Sequence, residues 1–403
     1  MALTPEELKE IPESFVKLFQ ELEEFIIKDM SRRIAKVGGL SESARLQVIK
    51  AQEIGISLDI IKKKLKETLD LSEEWLNEIF NNAGIYSIAK ENELYKSAGL
   101  KELDVLENIT LTKIIEATIK QTKGEFYNLT RSLGFAQKVN GKIVYKPIAQ
   151  YYHDAMDLAL MQIKTGVIDY NTAIKQAVDR LCESGIRNVD FESGVVNRVD
   201  TAVRRAVLTG ANQMTQRMTE KGMEEAGCDF VETTAHIGAR PGHALWQGKV
   251  FCYSGKSKEY PPFRESTGYG TGAGIGGWNC RHSFYPFIPG ISVRAYSEKM
   301  LENIDPPPFT FNDKEYTYYE ASQHQRYIER KIRSTKERLV AYDAAGLEKE
   351  FKNESIKLKQ QEKYYKEFSI AANIPMEKDR LQKRKFSRSI AQKAVWANKK
   401  ANK

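Results

Sequence analysis

The sequence predicts a mainly α-helical protein that carries one small, glycine-rich α+β module. Three observations predict this class. Apolar residues recur three and four positions apart over most of the first 226 residues, which is the spacing of one helix face. Between Gly238 and Gly290 the chain holds 11 of its 26 glycines, a density that helices do not tolerate. After the three prolines at 306–308, a charged helical pattern resumes and runs into a basic end. The expected organisation is a multi-helix N-terminal region at 1–226 with a break near 136–147, an irregular β and loop module at 227–304, and a charged helical hairpin with a basic tail at 305–403.

The N-terminal elements follow in order. Thr4, Pro5 and Glu7 have the types and spacing of a capped helix start, with Glu7 closing a capping box. Phe15, Leu18, Phe19, Leu22, Phe25 and Ile26 lie on one face of the next helix, which Gly38 and Gly39 end. Helices are then expected at 42–53, 57–69, 71–81 and 86–97, each punctuated by Gly or Asn, and again over 100–135. "KVNGKIVYKP" places an Asn-Gly turn between two short strand-like runs, so a hairpin is expected there. Further helices are read at 148–165, 170–184 and 193–226. In the last of these, Val199, Val203, Ala206, Val207, Met214 and Met218 form a stripe read as core.

The pattern changes near 227. "CDFVETTAHIG" alternates as a strand does. "IDPPPFTF" reads as a linker. The two charged segments after it, on either side of Gly346, read as an antiparallel helical hairpin.

Composition bounds the function. The chain has 403 residues, 41% hydrophobic, room for two or three domains. No apolar run approaches the roughly 18 residues of a membrane span. The start is acidic and is expected to carry no signal peptide. Four cysteines are too few for a disulfide framework, so synthesis in a reducing cytoplasm is expected. Charge is uneven. Residues 313–403 hold 23 Lys/Arg against 13 Asp/Glu, and the rest of the chain is nearly neutral. Lys383, Arg384, Lys385, Arg388, Lys393, Lys399 and Lys400 are therefore candidate contacts to nucleic acid or to an acidic protein surface.

His236, His243, Cys252, Cys280 and His282 are all metal-ligand types, and zinc is the ion they would suit. Their spacing departs from a zinc knuckle, although Cys280 and His282, one residue apart, would lie on the same side of a strand. The competing reading is a packed module core with no cofactor. In that reading Arg240, His243, Gln247, Asn279 and Arg281 satisfy loop carbonyls, while Trp246 and Trp278 anchor the loops. A Cys–His nucleophilic dyad has no orienting third group in view. "GAGIGG" matches a dinucleotide fingerprint only formally, because a strand-like segment follows it rather than a helix. "GKS" at 255–257 lacks the glycine a phosphate loop needs. No enzymatic signature stands out. The alternative function is a metal-dependent hydrolase or nuclease at 236–282, with Glu232 or Glu265 as base.

"TAHIGARPGHALWQGKVFCYSG" and "YPPFRESTGYGTGAGIGGWNCRHSFYPFIPG" resemble the phage minor capsid protein 2 family and the C-terminal module of Mu F-like minor head proteins. In those proteins an Arg-x-x-His segment with a nearby Gly precedes an Asn-Cys-Arg-Cys segment and a proline. Arg240, His243 and Gly248 match the first part. Asn279, Cys280, Arg281 and Pro286 match the second, with His282 where relatives often carry Cys. The resemblance implies a structural protein of the phage head, made in the bacterial cytoplasm and present in few copies near the portal. It implies portal and capsid proteins as partners and a part in head assembly or DNA packaging and delivery; it does not give an enzymatic activity, and none is expected.

Overall fold

Why the chain starts as it does is visible at Thr4. Its side chain accepts the Glu7 amide and the Glu7 carboxylate accepts the Thr4 amide, which caps α1 (Pro5–Glu10). The computed structural model describes residues 3–39, 43–139, 142–164, 168–189, 195–383 and 385–401. α2 (Glu13–Gly38) buries the expected stripe, with Phe15, Phe19, Leu22 and Ile26 inaccessible to solvent.

The next element corrects the sequence reading. Residues 43–97 form one helix, α3 (Ser43–Ser97), of 55 residues instead of four shorter ones. At a rise of 1.5 Å per residue it is about 80 Å long. The glycines that read as stops serve within the helix. Gly84 faces α4 (Ile109–Arg131), where a Cβ would come within 2.7 Å of Ile115, so it lets two helices approach closely. A helix-interior glycine costs only about 1 kcal/mol, which packing along this length outweighs. The segment before α4, also read as helical, is a loop. Asn92 holds it by bonding both the amide and the carbonyl of Leu103, at 2.8 and 2.7 Å.

β1 (Leu133–Val139) and β2 (Lys142–Pro147) form the expected hairpin, whose Asn-Gly turn lies outside the described residues. α5 (Ile148–Lys164) and α6 (Tyr170–Ser184) follow. β3 (Arg187–Val189) and β4 (Val196–Arg198) then extend the hairpin to a four-stranded sheet, order β2-β1-β3-β4. The helix expected from 193 therefore begins only at α7 (Val199–Ala226), which a left-handed Gly227 closes.

The glycine-rich module contains β5 (Phe230–Thr233), α8 (Pro241–Ala244), β6 (Val250–Cys252), α9 (Phe263–Thr267) and β7 (Phe284–Pro286). Its three strands pair antiparallel in the order β6-β5-β7. Val231, Phe251, Phe263 and Phe284 fill its core, and Met223 of α7 joins them. α10 (Glu298–Glu302) follows. The proline linker then leads into β8 (Phe309–Phe311) and β9 (Lys314–Tyr316). Asn312 and Asp313 turn this unexpected hairpin with φ of 47° and 61°, conformations these two residues tolerate. α11 (Tyr318–Ala345) and α12 (Glu348–Ala371) make the expected helical hairpin around a left-handed Gly346. A short 3-10 turn (Lys378–Leu381) leads to α13 (Arg388–Ala401).

One hydrophobic cluster runs from Leu3 to Ala394, because α11 packs against both α2 and α6. A buried charge cluster reinforces the join. Lys383 Nζ lies 3.0 Å from Glu337 and 3.5 Å from both Glu23 and Glu24. Glu23 also pairs with Arg198 at 3.0 Å. Burial works against the Lys383 ammonium, but the three carboxylates outweigh it and hold the group charged. Burial, and then the Glu23 charge, push the Glu337 carboxyl up to about 7.

Removing one member of such a cluster leaves buried charge uncompensated. Lys383→Met is therefore expected to lower the unfolding free energy by about 3–5 kcal/mol in urea melts. Glu91 gives a second expectation. It is fully buried on α3, accepts the Thr219 hydroxyl, and burial pushes its carboxyl from 4.5 up to about 7. The folded protein thus binds this proton more tightly than the unfolded chain does. Stability contributed here is greatest below about pH 4.5 and falls, by up to about 3 kcal/mol, as pH rises to about 7. Glu91→Gln is expected to flatten that decline between pH 5 and pH 8.

Candidate metal centre and arginine-lined cavity

The glycine run folds into a loop that packs on itself. At Gly274 a Cβ would lie 2.0 Å from the Gly268 carbonyl, and at Gly276, with φ of 72°, it would lie 2.1 Å from Gln216 of α7. Only glycine fits either place. Trp278 N–H bonds the Gly272 carbonyl at 2.8 Å, and Cys280 N–H bonds the Gly277 carbonyl at 3.1 Å. Asn279 turns the chain with φ of 53°. Asn212 of α7, fully buried, then donates to the Cys280 and His282 carbonyls at 3.1 and 3.0 Å. The loop thereby delivers the 280–282 segment, fixed to a helix, beside α8.

Three of the five candidate ligands meet there. Among the described residues, His243, Cys280 and His282 are all buried, and their nearest ligand atoms lie within 4.8 Å of one another. The two imidazole Nδ1 atoms are 3.3 Å apart, and Cys280 Sγ is 3.7 Å from each. The outer nitrogens are also engaged. His243 Nε2 is 2.8 Å from the Ala273 carbonyl, and His282 Nε2 is 3.2 Å from Gln247 Oε1. Burial lowers the basicity of both imidazoles and raises the Cys280 thiol.

The other two candidates do not join. His236 stacks on His282 with centroids 4.4 Å apart, but its Nδ1 lies 2.9 Å from its neighbour's carbonyl and 3.2 Å from Arg281. Burial and Arg281 hold its pKa at about 4. Cys252 is on β6, where its thiol bonds Asp229 at 3.3 Å.

The remaining motif residues have separate places. Trp246 is buried against His243 and His282. Gln247 accepts the His236 amide at 3.1 Å, and Gly248 lies against Tyr296 and Leu301. Arg240 donates to the Trp278 carbonyl at 2.9 Å. Trp278, expected as a core anchor, is 63% exposed and lies over Gly272 on the loop surface. The two carboxylates named as possible bases do not approach the cluster. Glu232 accepts the amides of Ala295 and Tyr296, while Glu265 is exposed on α9.

The three ligand-type residues also border a cavity of about 450 Å³ between the module and the helices. Arg204, Arg240, Arg281, Arg326, Arg330, Arg333 and Arg380 line it, against Glu13, Asp200, Glu329 and Asp379. Arg326 is depressed to about 10, first by burial and then by Arg380, Arg281 and Arg204. Sequence reasoning missed this wall, although 326, 330 and 333 have the spacing of one helix face. It also missed Asn212 and Gln216, a polar pair four apart within an apolar helix.

The basic candidates of the tail divide. Lys383 is buried among carboxylates, so it cannot meet nucleic acid as expected. Lys393 pairs with Asp343 at 2.6 Å. Lys385, Arg388 and Lys399 are exposed. Arg384 and the Lys400 side chain lie outside the described residues.

The family model described as Phage minor capsid protein 2 matches residues 3–369. A "Structural protein" of Lactococcus phage LL-H is 25% identical over 284 residues, which are 64% of this chain and 71% of that protein. A "Structural protein" of Lactococcus phage mv4 is 34% identical over 79 residues, 20% of this chain and 55% of that protein, so the match spans about half of that relative. No solved structure matches the chain. The family match includes the helical region, the loop that assembles the His–Cys cluster and the helical hairpin beyond it, and the chain belongs to the phage minor capsid protein 2 family of phage structural proteins.

Proposed function

We propose that this phage structural protein works inside the head near the portal. There the helical body docks on portal and shell proteins, the rigid module presents an interaction surface, and α13 contacts packaged DNA. The observation that carries the DNA reading is the face of α13. Ile390, Ala394 and Asn398 anchor it to the body, and Asn398 donates to the Ser355 carbonyl at 2.9 Å. Arg388 and Lys399 on this helix, and Lys385 just before it, remain at the surface, and 381–403 contains no acidic residue. A docked helix with cations outward suits a regular polyanion, and such contacts are independent of sequence and sensitive to salt. Portal and shell proteins as partners, and a role in packaging or delivery, follow from the family resemblance.

Binding of double-stranded DNA by the full chain, measured across salt concentrations, tests this. The triple change Lys385→Gln, Arg388→Gln, Lys399→Gln is expected to reduce the slope of log K against log salt by about 3, at about 0.9 for each phosphate no longer neutralised. An unchanged slope with unchanged affinity overturns the DNA contact. Co-sedimentation with portal rings tests the docking separately.

A further inference from the structure

We propose that His243, Cys280 and His282 bind a zinc ion that fastens the glycine-rich loop to α8 and, through Asn212, to α7. The first argument is metric. Zinc held tetrahedrally at about 2.0–2.1 Å from nitrogen and about 2.3 Å from sulfur places two nitrogens about 3.3 Å apart and nitrogen and sulfur about 3.6 Å apart. The three observed edges are 3.3, 3.7 and 3.7 Å.

The second argument is the direction of the lone pairs. Ala273 offers His243 Nε2 a backbone carbonyl, which can only accept, so Nε2 carries the proton. Gln247 Oε1 accepts the His236 amide, which fixes that atom as oxygen, so His282 Nε2 also donates. Both neutral imidazoles therefore turn bare Nδ1 lone pairs toward each other. The Cys280 thiol has one proton and can satisfy only one of them. A cation at the centre satisfies both nitrogens and the sulfur. The outer bonds to Ala273 and Gln247 are the kind of contact that orients ligating imidazoles.

A set of two imidazoles and a thiolate selects zinc over magnesium or calcium, which take oxygen ligands. All three side chains border the arginine-lined cavity, so its water or an anion takes the fourth position.

Metal analysis of the full chain, purified after expression with added zinc, tests the assignment. About one zinc per chain is expected, retained in Cys252→Ser and lost in Cys280→Ser. Gln247→Leu, which removes one outer contact, is expected to raise the zinc Kd by about 10- to 100-fold in competition with a chromogenic chelator. If Cys280→Ser does not fold, cobalt(II) loading of the wild-type protein decides. A thiolate-to-cobalt charge-transfer band together with tetrahedral visible bands supports the site. Wild-type protein that holds no zinc, cobalt-loaded protein without the thiolate band, or full zinc content in Cys280→Ser each overturns it.

Discussion

α7 is shared by two cores, and the rest of the architecture depends on that sharing. Its Met214 and Met218 lie in the large helical cluster, while Met223, more than two turns on from Met214, lies in the core of the glycine-rich module. The same helix carries Asn212 and Gln216, whose side chains hold the carbonyls of the loop that brings Cys280 and His282 to His243. A small module with few strands has little apolar surface of its own, and borrowing a helix from a larger body gives it a rigid foundation. The module's loop can be mostly irregular because its backbone groups bond to one another and to this helix.

Electrostatics define the second layer. Cations are treated differently in three places. Lys383 is sealed among three carboxylates and acts as a structural clasp. Seven arginines face a shared cavity with too few carboxylates to neutralise them. Arg388 and Lys399 of α13 stand in solvent. The same residue type thus serves cohesion, a charged interior wall and an outward surface. Composition reports only their sum.

That difference explains which parts of the molecule are legible in the sequence. The capping box at Thr4, the apolar stripe of α2 and the hairpin around Gly346 rest on local rules, and the structure follows them. Local rules divide α3 wrongly because Gly84 answers to Ile115 of a neighbouring helix, while Gly55, with open space around it, costs too little to stop a helix of this length. Cys280 and His282 are recognisable as partners from their alternation. His243 joins them across a loop whose course depends on glycine contacts such as Gly274 against Gly268, which no periodicity records. Cys252 looks equivalent to Cys280 in the sequence, but β6 carries it to Asp229. Lys383 looks like its neighbours in a basic run because the carboxylates that enclose it come from α2 and α11.

The clasp between the tail and α2 also has a consequence in time. Lys385 donates its amide to Glu24 at 2.6 Å, a bond between residues 361 positions apart. A ribosome adding about 5 to 20 residues per second makes these two partners about 20 to 70 s apart. Glu23 can meet Arg198 within that interval, but Glu24 lacks its buried cation until Lys383 exists. The clasp of the tail on α2 can therefore form only when translation is nearly complete, after α2 has met α3, α5, α6 and α7.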